Sequence, residues 1–478
     1  MSEAGNMNLG WEAVKGLIAK SLMAATGFIG ILIFTRIVGK SDFGGYYLLL
    51  SVVFILDRPI RGFCQAVRKR WSESGSAKRE ILGAVLLVNL IGFVLISAGV
   101  LILDSYIVSY TGLNGAAPLF LTIFGSLILW FPFQQIMGAM GYPSKQVWND
   151  ALRSLFTLPL QIGLVLCGLG ALGMGYGLAG ATLLSVPFGV YVVSTRPSLP
   201  SRKTISSLWE YAKYSSPNAI VGETYSRIDI ILLGLLAGTT SVANYEVAFK
   251  MVTPATFASG VVGSALMPKI SNLISEGKEF KEDVNNSISY VSILGIPIFF
   301  GALAIPESLV VTAFGPQYSD AGPYLIGLAL YQVISTQTAI YFQTLSGMDL
   351  PKIGLKVNSL TLAFNIAIGA ILVFSIGAIG IVVGTVLAEA LRYLLTTRSV
   401  VRRIDDITPI PRTLIMQILA GISMYLIVHI LNTQIMVSSW VDLGILVGAG
   451  ALVYGSVLIV ISPDVRSTTV SVYRDSRA

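Results

Sequence analysis

Charge is scarce in this 478-residue sequence: Asp, Glu, Lys and Arg together make up 12% of it, about half the share of a soluble domain. That shortage excludes an ordinary water-soluble fold. Cysteine is nearly absent; Cys64 and Cys167 both lie in apolar context and form neither a disulfide framework nor a metal motif. The one histidine, His429, ends an apolar run and reads as an interfacial or packed residue rather than a ligand. There is no P-loop, no metal-ligand cluster and no Ser/His/Asp set. The chain is therefore not expected to be an enzyme, to hold a cofactor or to draw energy from nucleotide hydrolysis. No short apolar segment followed by a small-residue cleavage site opens the chain; the first apolar run, 16–34, reads as an uncleaved insertion signal. The formal charge of +7 does not point to nucleic acid, because no soluble domain offers a basic face with interleaved aromatics.

Apolar length is abundant instead. Hydrophobic residues make up 54% of the chain, 48 residues are glycine, and the mean hydropathy is +0.76. Runs of about 20 apolar residues, enough to cross a bilayer, recur near 15–35, 43–66, 81–103, 117–139, 148–168, 174–194, 211–237, 243–267, 288–312, 322–346, 354–374, 377–397, 412–431 and 440–462. These fourteen segments predict an all-α polytopic membrane protein. The connections near Gly170 and Gly377 are so short and uncharged that each flanking pair resembles one long helix. Cations favour alternate loops: Arg68 to Arg70, Lys78 and Arg79; Lys145; Arg196, Arg202 and Lys203; Lys269, Lys278 and Lys281; Lys352 and Lys356; Arg398, Arg402, Arg403 and Arg412; then Arg466, Arg474 and Arg477. The opposite loops hold only Arg36 and Lys40. This asymmetry places both termini in the cytoplasm and requires an even number of spans. No loop is long enough for an extramembrane catalytic or receptor domain.

An internal repeat underlies the pattern. "IVGKSDFGGYYLLLSVV" (37–53) lies over "LAGTTSVANYEVAFKMV" (236–252), "SESG" (72–75) over "ISEG" (274–277), "MGYPSK" (140–145) over "MDLPK" (348–352), and "GALGMGYGLAGA" (170–181) over "GAIGIVVGTVLA" (377–388). The order is kept throughout. Six spans per repeat preserve orientation, so the halves are parallel repeats, an architecture that puts a substrate path between them. The expected organisation is 1–200 for spans one to six, 201–405 for spans seven to twelve, and 406–478 for two additional spans and a cytoplasmic tail.

"GFIGILIFTRIVGKSDFGGYYLLLSVV" (27–53), "SRIDIILLGLLAGTTSVANYEVAFKMV" (226–252) and "FGPQYSDAGPYL" (314–325), with the count of fourteen, resemble the polysaccharide transporter branch of the multidrug/oligosaccharidyl-lipid/polysaccharide exporter superfamily. The segment "QAVRKRWSESG" (65–75) resembles archaeal members. The resemblance implies a V-shaped, two-lobed flippase in the cell membrane, working by alternating access. Its cargo would be a polyprenyl-phosphate- or pyrophosphate-linked oligosaccharide on undecaprenyl or dolichyl. The glycan would then pass to polysaccharide, O-antigen or glycoprotein assembly, with glycosyltransferases or a polymerase as partners. Spans one, two, seven and eight would line the central cavity.

Charges buried in spans are costly and usually face a cavity. They gather on the implied cavity helices: Asp57, Arg58 and Arg61 on span two, Glu223, Arg227 and Asp229 on span seven, Glu246 and Lys250 on span eight. Asp57/Arg61, Glu223/Arg227 and Glu246/Lys250 have the spacing and order of favourable helical ion pairs. A phosphate leaving the headgroup layer needs cations, and arginine grips its oxygens with two donors while staying charged. On this reading Arg58, Arg61, Arg227 and Lys250 bind substrate. Asp57, Glu223, Asp229, Glu246 and Glu389 balance charge or couple to Na+, H+ or the membrane potential. Arg153 and Arg392, near span ends, are expected to snorkel to the headgroups.

The stretch "SVVFILDRPIRGFCQAVRKR" (51–70) tests the alternatives. If span two ended at Leu56 it would be about 21 Å long, short of a roughly 30 Å core, so the helix is expected to continue past Asp57, bent by Pro59. Arg58 and Arg61 then either line a cavity or anchor a helix extension at the headgroups. Other functions compatible with the spans are a cation-coupled small-molecule antiporter, a lipid II flippase and a membrane-embedded polysaccharide polymerase. The polymerase is disfavoured by the short, nearly uncharged outer loops.

Overall fold

The computed structural model describes residues 9–73, 77–141, 143–435 and 437–467, with side chains from Leu22 onward except at 143, 214 and 218. The described residues form helices joined by short turns, with no strand among them. The chain divides into two compact units, one ending at Ala243 and the other beginning at Asn244.

In the first unit the helices Leu9–Ile37, Lys40–Leu56, Arg58–Glu73, Lys78–Ile102, Asp104–Thr111, Ala116–Ala139, Pro143–Leu164, Gly170–Val193 and Arg202–Leu236 follow one another. Its core is built of Phe43, Leu48 and Leu49 with Phe120, Ile123 and Phe124, all fully buried. The second unit packs Ile296, Met424, Leu446 and Tyr454 in one cluster. Leu266, Ile270, Val284, Ile288 and Tyr341 form another.

Much of the outside of the protein is apolar. Helix Lys78–Ile102 is strongly hydrophobic, yet little of it is buried in the protein; Leu95, Ile102, Leu166, Phe374 and Val460 point outward. Such surfaces are stable against hydrocarbon and not against water. The chain is a multi-pass membrane protein. Among the described residues nine helical runs are long and apolar enough to cross a bilayer, or ten if the bent pair Lys40–Leu56 and Arg58–Glu73 is one span.

Length and apolarity alone thus stop short of fourteen, for identifiable reasons. Residues 144–193 count as one run, but Gly168 (φ 91°) and Gly170 (φ 50°) reverse the chain inside it. The two arms fold together, Gln161 Nε2 donating to Met174 O at 2.7 Å. Segment 211–237 lies in a helix bearing Glu223, Arg227 and Asp229. Segment 243–267 is interrupted by a 3-10 turn, Thr253–Thr256. Segment 15–35 lies within the 29-residue helix Leu9–Ile37.

The repeat is visible in the element boundaries. Helices end at Ile37 and Leu236, begin at Lys40 and Thr239, and resume at Arg58 and Phe257, each pair 199 residues apart. Further on, the hairpin turning at Gly170 matches one turning at Gly377 (φ 72°). In the first, a Cβ on Gly173 would lie 2.9 Å from the Leu164 carbonyl carbon; in the second, a Cβ on Gly380 would lie 2.4 Å from that of Leu372. Only glycine lets the backbones approach this closely.

Candidate functional site

The site begins where the second helix breaks. Lys40–Leu56 and Arg58–Glu73 meet at Asp57 with a bend of 47°. Asp57 N donates to Val53 O and Arg61 N to Asp57 O, both at 2.9 Å, so the chain stays coiled through the bend. Pro59 has no N–H to return to the preceding turn, which leaves the helix weakest here. The expected continuation past Asp57 is therefore found, as a second helix at an angle.

The lower arm is held by close backbone contact with Arg202–Leu236. A Cβ on Gly62 would lie 2.4 Å from Ser216 Cα. Ser215 Oγ donates to Gly62 O at 2.8 Å, and Ser216 Oγ to Pro59 O at 3.0 Å. This contact brings the charges of both helices together.

Asp57 has a fully buried side chain, and its Oδ2 lies 2.8 Å from Arg61 Nη2. Arg58 Nε lies 3.8 Å from Asp57 Oδ1, while Arg58 Nη2 pairs with Glu223 Oε2. The other oxygen of Glu223 accepts from Arg227 Nε at 3.1 Å. Glu223 thus ties two arginines from different helices. Two phenylalanines complete the group: the Arg61 guanidinium sits 3.6 Å from the Phe131 ring centroid, and that of Arg227 4.9 Å from the Phe54 centroid. Stacking on an aromatic face stabilises a guanidinium while leaving its edge donors available. The three arginine side chains keep about a quarter of their surface open, 23%, 23% and 26%. Three cations against two carboxylates leave the group one positive charge in excess.

Of the sequence-identified residues, the structure brings together Asp57, Arg58, Arg61, Glu223 and Arg227. Asp229 is buried on the Arg202–Leu236 helix, but two residues past Arg227 it points to the opposite side of the helix. Glu246 is buried and Lys250 half-buried, both in the second unit on helix Thr239–Val252. Glu389 is fully buried, 3.2 Å from Arg392 Nη1.

Arg392 does not snorkel: its Nε donates to Asn358 Oδ1 at 3.1 Å and its guanidinium stacks 4.5 Å from the Phe342 centroid. Arg153 is likewise held inward, paired with Asp150 at 2.9 Å and lying 4.7 Å from the Trp130 centroid. His429 stacks on Tyr425 at 5.6 Å. Sequence reasoning missed Phe54 and Phe131. Phe54 could have been found, one turn before Arg58; Phe131, among many phenylalanines on another helix, carried no signal.

Comparisons with known proteins agree with this architecture. A probable low-salt glycan biosynthesis flippase, Agl15, of Haloferax volcanii is 28% identical over 392 residues, 81% of this chain and 83% of that one. The probable flippase AglR of the same organism is 23% identical over 458 residues, 92% and 94% of the two chains. In fold, the structure of the lipid II flippase MurJ in an inward closed conformation superposes with a TM-score of 0.78 at 16% identity, covering 95% of this chain and 99% of that one. Family and fold are those of transporters rather than enzymes. Residues 33–323 match the family described as "Polysaccharide biosynthesis protein", and the chain belongs to that family, in the polysaccharide-transporter branch of the multidrug/oligosaccharidyl-lipid/polysaccharide exporter superfamily.

Proposed function

We propose that this protein is an alternating-access flippase that moves a polyprenyl-phosphate- or pyrophosphate-linked oligosaccharide from the cytoplasmic to the outer leaflet. Arg58, Arg61 and Arg227 take the phosphate. The observation that supports this is the five-charge group at the broken helix, cationic by one charge and set among apolar side chains. A phosphate offers oxygens like those of Glu223 with more negative charge, so it can take over the Arg58 and Arg227 donors. Glu223 then acts as a placeholder that keeps the empty site neutralised and helps expel the product. Asp57, buried and paired with Arg61, anchors the lower arm.

Lys250, on helix Thr239–Val252, is a further candidate substrate-binding cation. Glu246, Glu389 and Asp229 balance charge or couple transport to Na+, H+ or the membrane potential. Residues 1–200 and 201–405 form the two repeats, with 406–478 added beyond them. The protein resides in the plasma membrane with both termini cytoplasmic, and the glycosyltransferases that build its cargo and the polymerase that uses it are its working neighbours.

The test is leaflet sidedness of polyprenol-linked oligosaccharide in cells lacking the protein. Completed glycan-lipid should accumulate on the cytoplasmic face and be cleared by the wild-type gene, but not by Arg58→Ala with Arg61→Ala. Arg227→Lys, which keeps charge and loses the two-pronged grip, should clear it only partly. Normal sidedness in the absence of a redundant transporter would replace this reading with a small-molecule antiporter, and unfinished glycan-lipid would point to an upstream step.

A further inference from the structure

Helices Pro351–Ile376 and Ile379–Val401 form the hairpin that turns at Gly377. Around its open end lies a groove of about 510 Å3 rimmed by Lys352, Lys356, Arg398, Arg402 and Arg403 and floored by Val357, Leu360 and Leu395. All five cations are exposed. Arg403 is spent on its own helix end, donating to Ser399 O at 2.6 Å. None of the five has a carboxylate within 4.0 Å among the described residues. Elsewhere in the same unit three lysines are paired: Lys269 with Asp283 at 2.6 Å, Lys278 with Glu276 at 2.7 Å, and Lys281 with Glu279 at 3.4 Å and Asp406 at 3.7 Å. Asp406, close to the groove cations in sequence, is thus turned to Lys281. Unpaired like charges around one cavity repel, and an anion seated among them relieves that.

The repeat separates general membrane topology from something added. At the spacing of 207 set by Gly170 and Gly377, Lys352 answers to Lys145 and Arg403 to Arg196. Those two cations belong to both hairpins and follow from orientation in the membrane. Lys356, Arg398 and Arg402 answer instead to Asn149, Tyr191 and Thr195. Asn149 is fully buried in the first unit, a packing residue. The second hairpin has therefore gained three charges that the shared fold does not require.

The groove is open, has an apolar floor leading toward the membrane interior, and lies on the face that charge asymmetry assigns to the cytoplasm. Basic pockets between membrane helices on that face suit anionic lipid headgroups. We infer that this groove holds a resident anionic phospholipid, its phosphate among Lys356, Arg398 and Arg402 and an acyl chain along Leu360 and Leu395. The inference is independent of what the protein transports.

The test uses the full chain purified into nanodiscs of equal phosphatidylglycerol and phosphatidylcholine, then released into mild detergent for native mass spectrometry of retained lipid. Wild type should keep phosphatidylglycerol in preference to phosphatidylcholine. The variant Lys356→Gln, Arg398→Gln, Arg402→Gln should hold it about a hundredfold less tightly. The matched control Lys269→Gln, Lys278→Gln, Lys281→Gln, which removes as many charges from paired positions, should behave as wild type. Equal retention of the two lipids by wild type would overturn the inference without any variant. So would unchanged phosphatidylglycerol retention in the groove variant, or equal loss in the control. Displacement of phosphatidylglycerol by sub-stoichiometric polyprenyl phosphate would reassign the groove to a transported lipid and equally overturn it.

Discussion

Gly62→Ala is the substitution whose effect can be worked most directly from the structure. The new Cβ would lie 2.4 Å from Ser216 Cα, 2.6 Å from Ser216 Oγ and 2.8 Å from Ser216 N. Two of these are backbone atoms, so no side-chain rotation relieves the clash. Ordinary contact begins near 3.4 Å, so Arg58–Glu73 must retreat by about 1 Å from Arg202–Leu236. The hydrogen bonds of Ser215 and Ser216 to Gly62 O and Pro59 O, 2.8 and 3.0 Å long, would stretch beyond bonding distance. Each is worth about 1 kcal/mol, and residual overpacking costs about 1–3 kcal/mol, so the substitution should destabilise the first unit by about 3–5 kcal/mol. At about 2–4 °C per kcal/mol, Tm of the purified protein should fall by about 10 °C. The same retreat separates Arg58 from Glu223, and glycan-lipid flipping should be lost in the cold, where the protein is still folded. Gly222→Ala is the internal control: it sits on the opposing helix with nothing within 4 Å of its added Cβ. It should raise stability by about 0.5–1 kcal/mol, as alanine does for glycine in a helix. Two substitutions of the same chemistry, on helices that touch, should thus differ in sign. A Gly62→Ala protein with wild-type Tm and activity would refute the close contact and the assembly of the charge group that depends on it.

Glu223→Gln removes the carboxylate that bridges Arg58 and Arg227 and raises the excess positive charge of the group from one to two. Polyprenyl phosphate should bind the purified variant about fivefold more tightly, matching about 1 kcal/mol for a part-exposed charge pair, while turnover in proteoliposomes slows because the product leaves less readily. Weaker binding would remove the placeholder role. Glu389→Ala takes the buried partner from Arg392, which is 18% exposed, and should cost about 3 kcal/mol in unfolding measurements, whereas Glu389→Gln, which keeps a hydrogen-bonding amide, should cost about half that. If the two variants are equally stable and both lose ion dependence of transport, Glu389 serves coupling rather than packing.

The bend and two of the ion pairs were legible in the sequence because they are local. Asp57/Arg61 and Glu223/Arg227 are one helical turn apart, and both pair in the structure. Pro59 announced a weak point, and glycines with no charge around 170 and 377 announced tight hairpins. The link between Arg58 and Glu223 was not legible, because it depends on Gly62 meeting Ser216, a contact between helices 165 positions apart at the charged residues. Arg392 was misjudged for the same reason. Its distance from a helix end suggested an easy escape to the headgroups, but Asn358 across the hairpin and the Phe342 ring hold it in place. Exposed apolar helix faces follow from composition; which charges meet follows from packing between segments that composition does not locate.

The interruption at Asp57 has a counterpart at Thr253–Thr256, after which each chain segment resumes its helix at matched positions. The first interruption is followed by Arg58 and Arg61; the second reads Thr-Pro-Ala-Thr and is followed by Phe257 and Gly260. The two joints match in position but not in the side chains that follow them. One copy carries two arginines just past its joint, while the other has no charge at the matched positions. If the arginines hold the cargo as proposed, substitutions at the first joint should change recognition and substitutions at the second should leave it unchanged, so that two matched places of one plan can diverge separately.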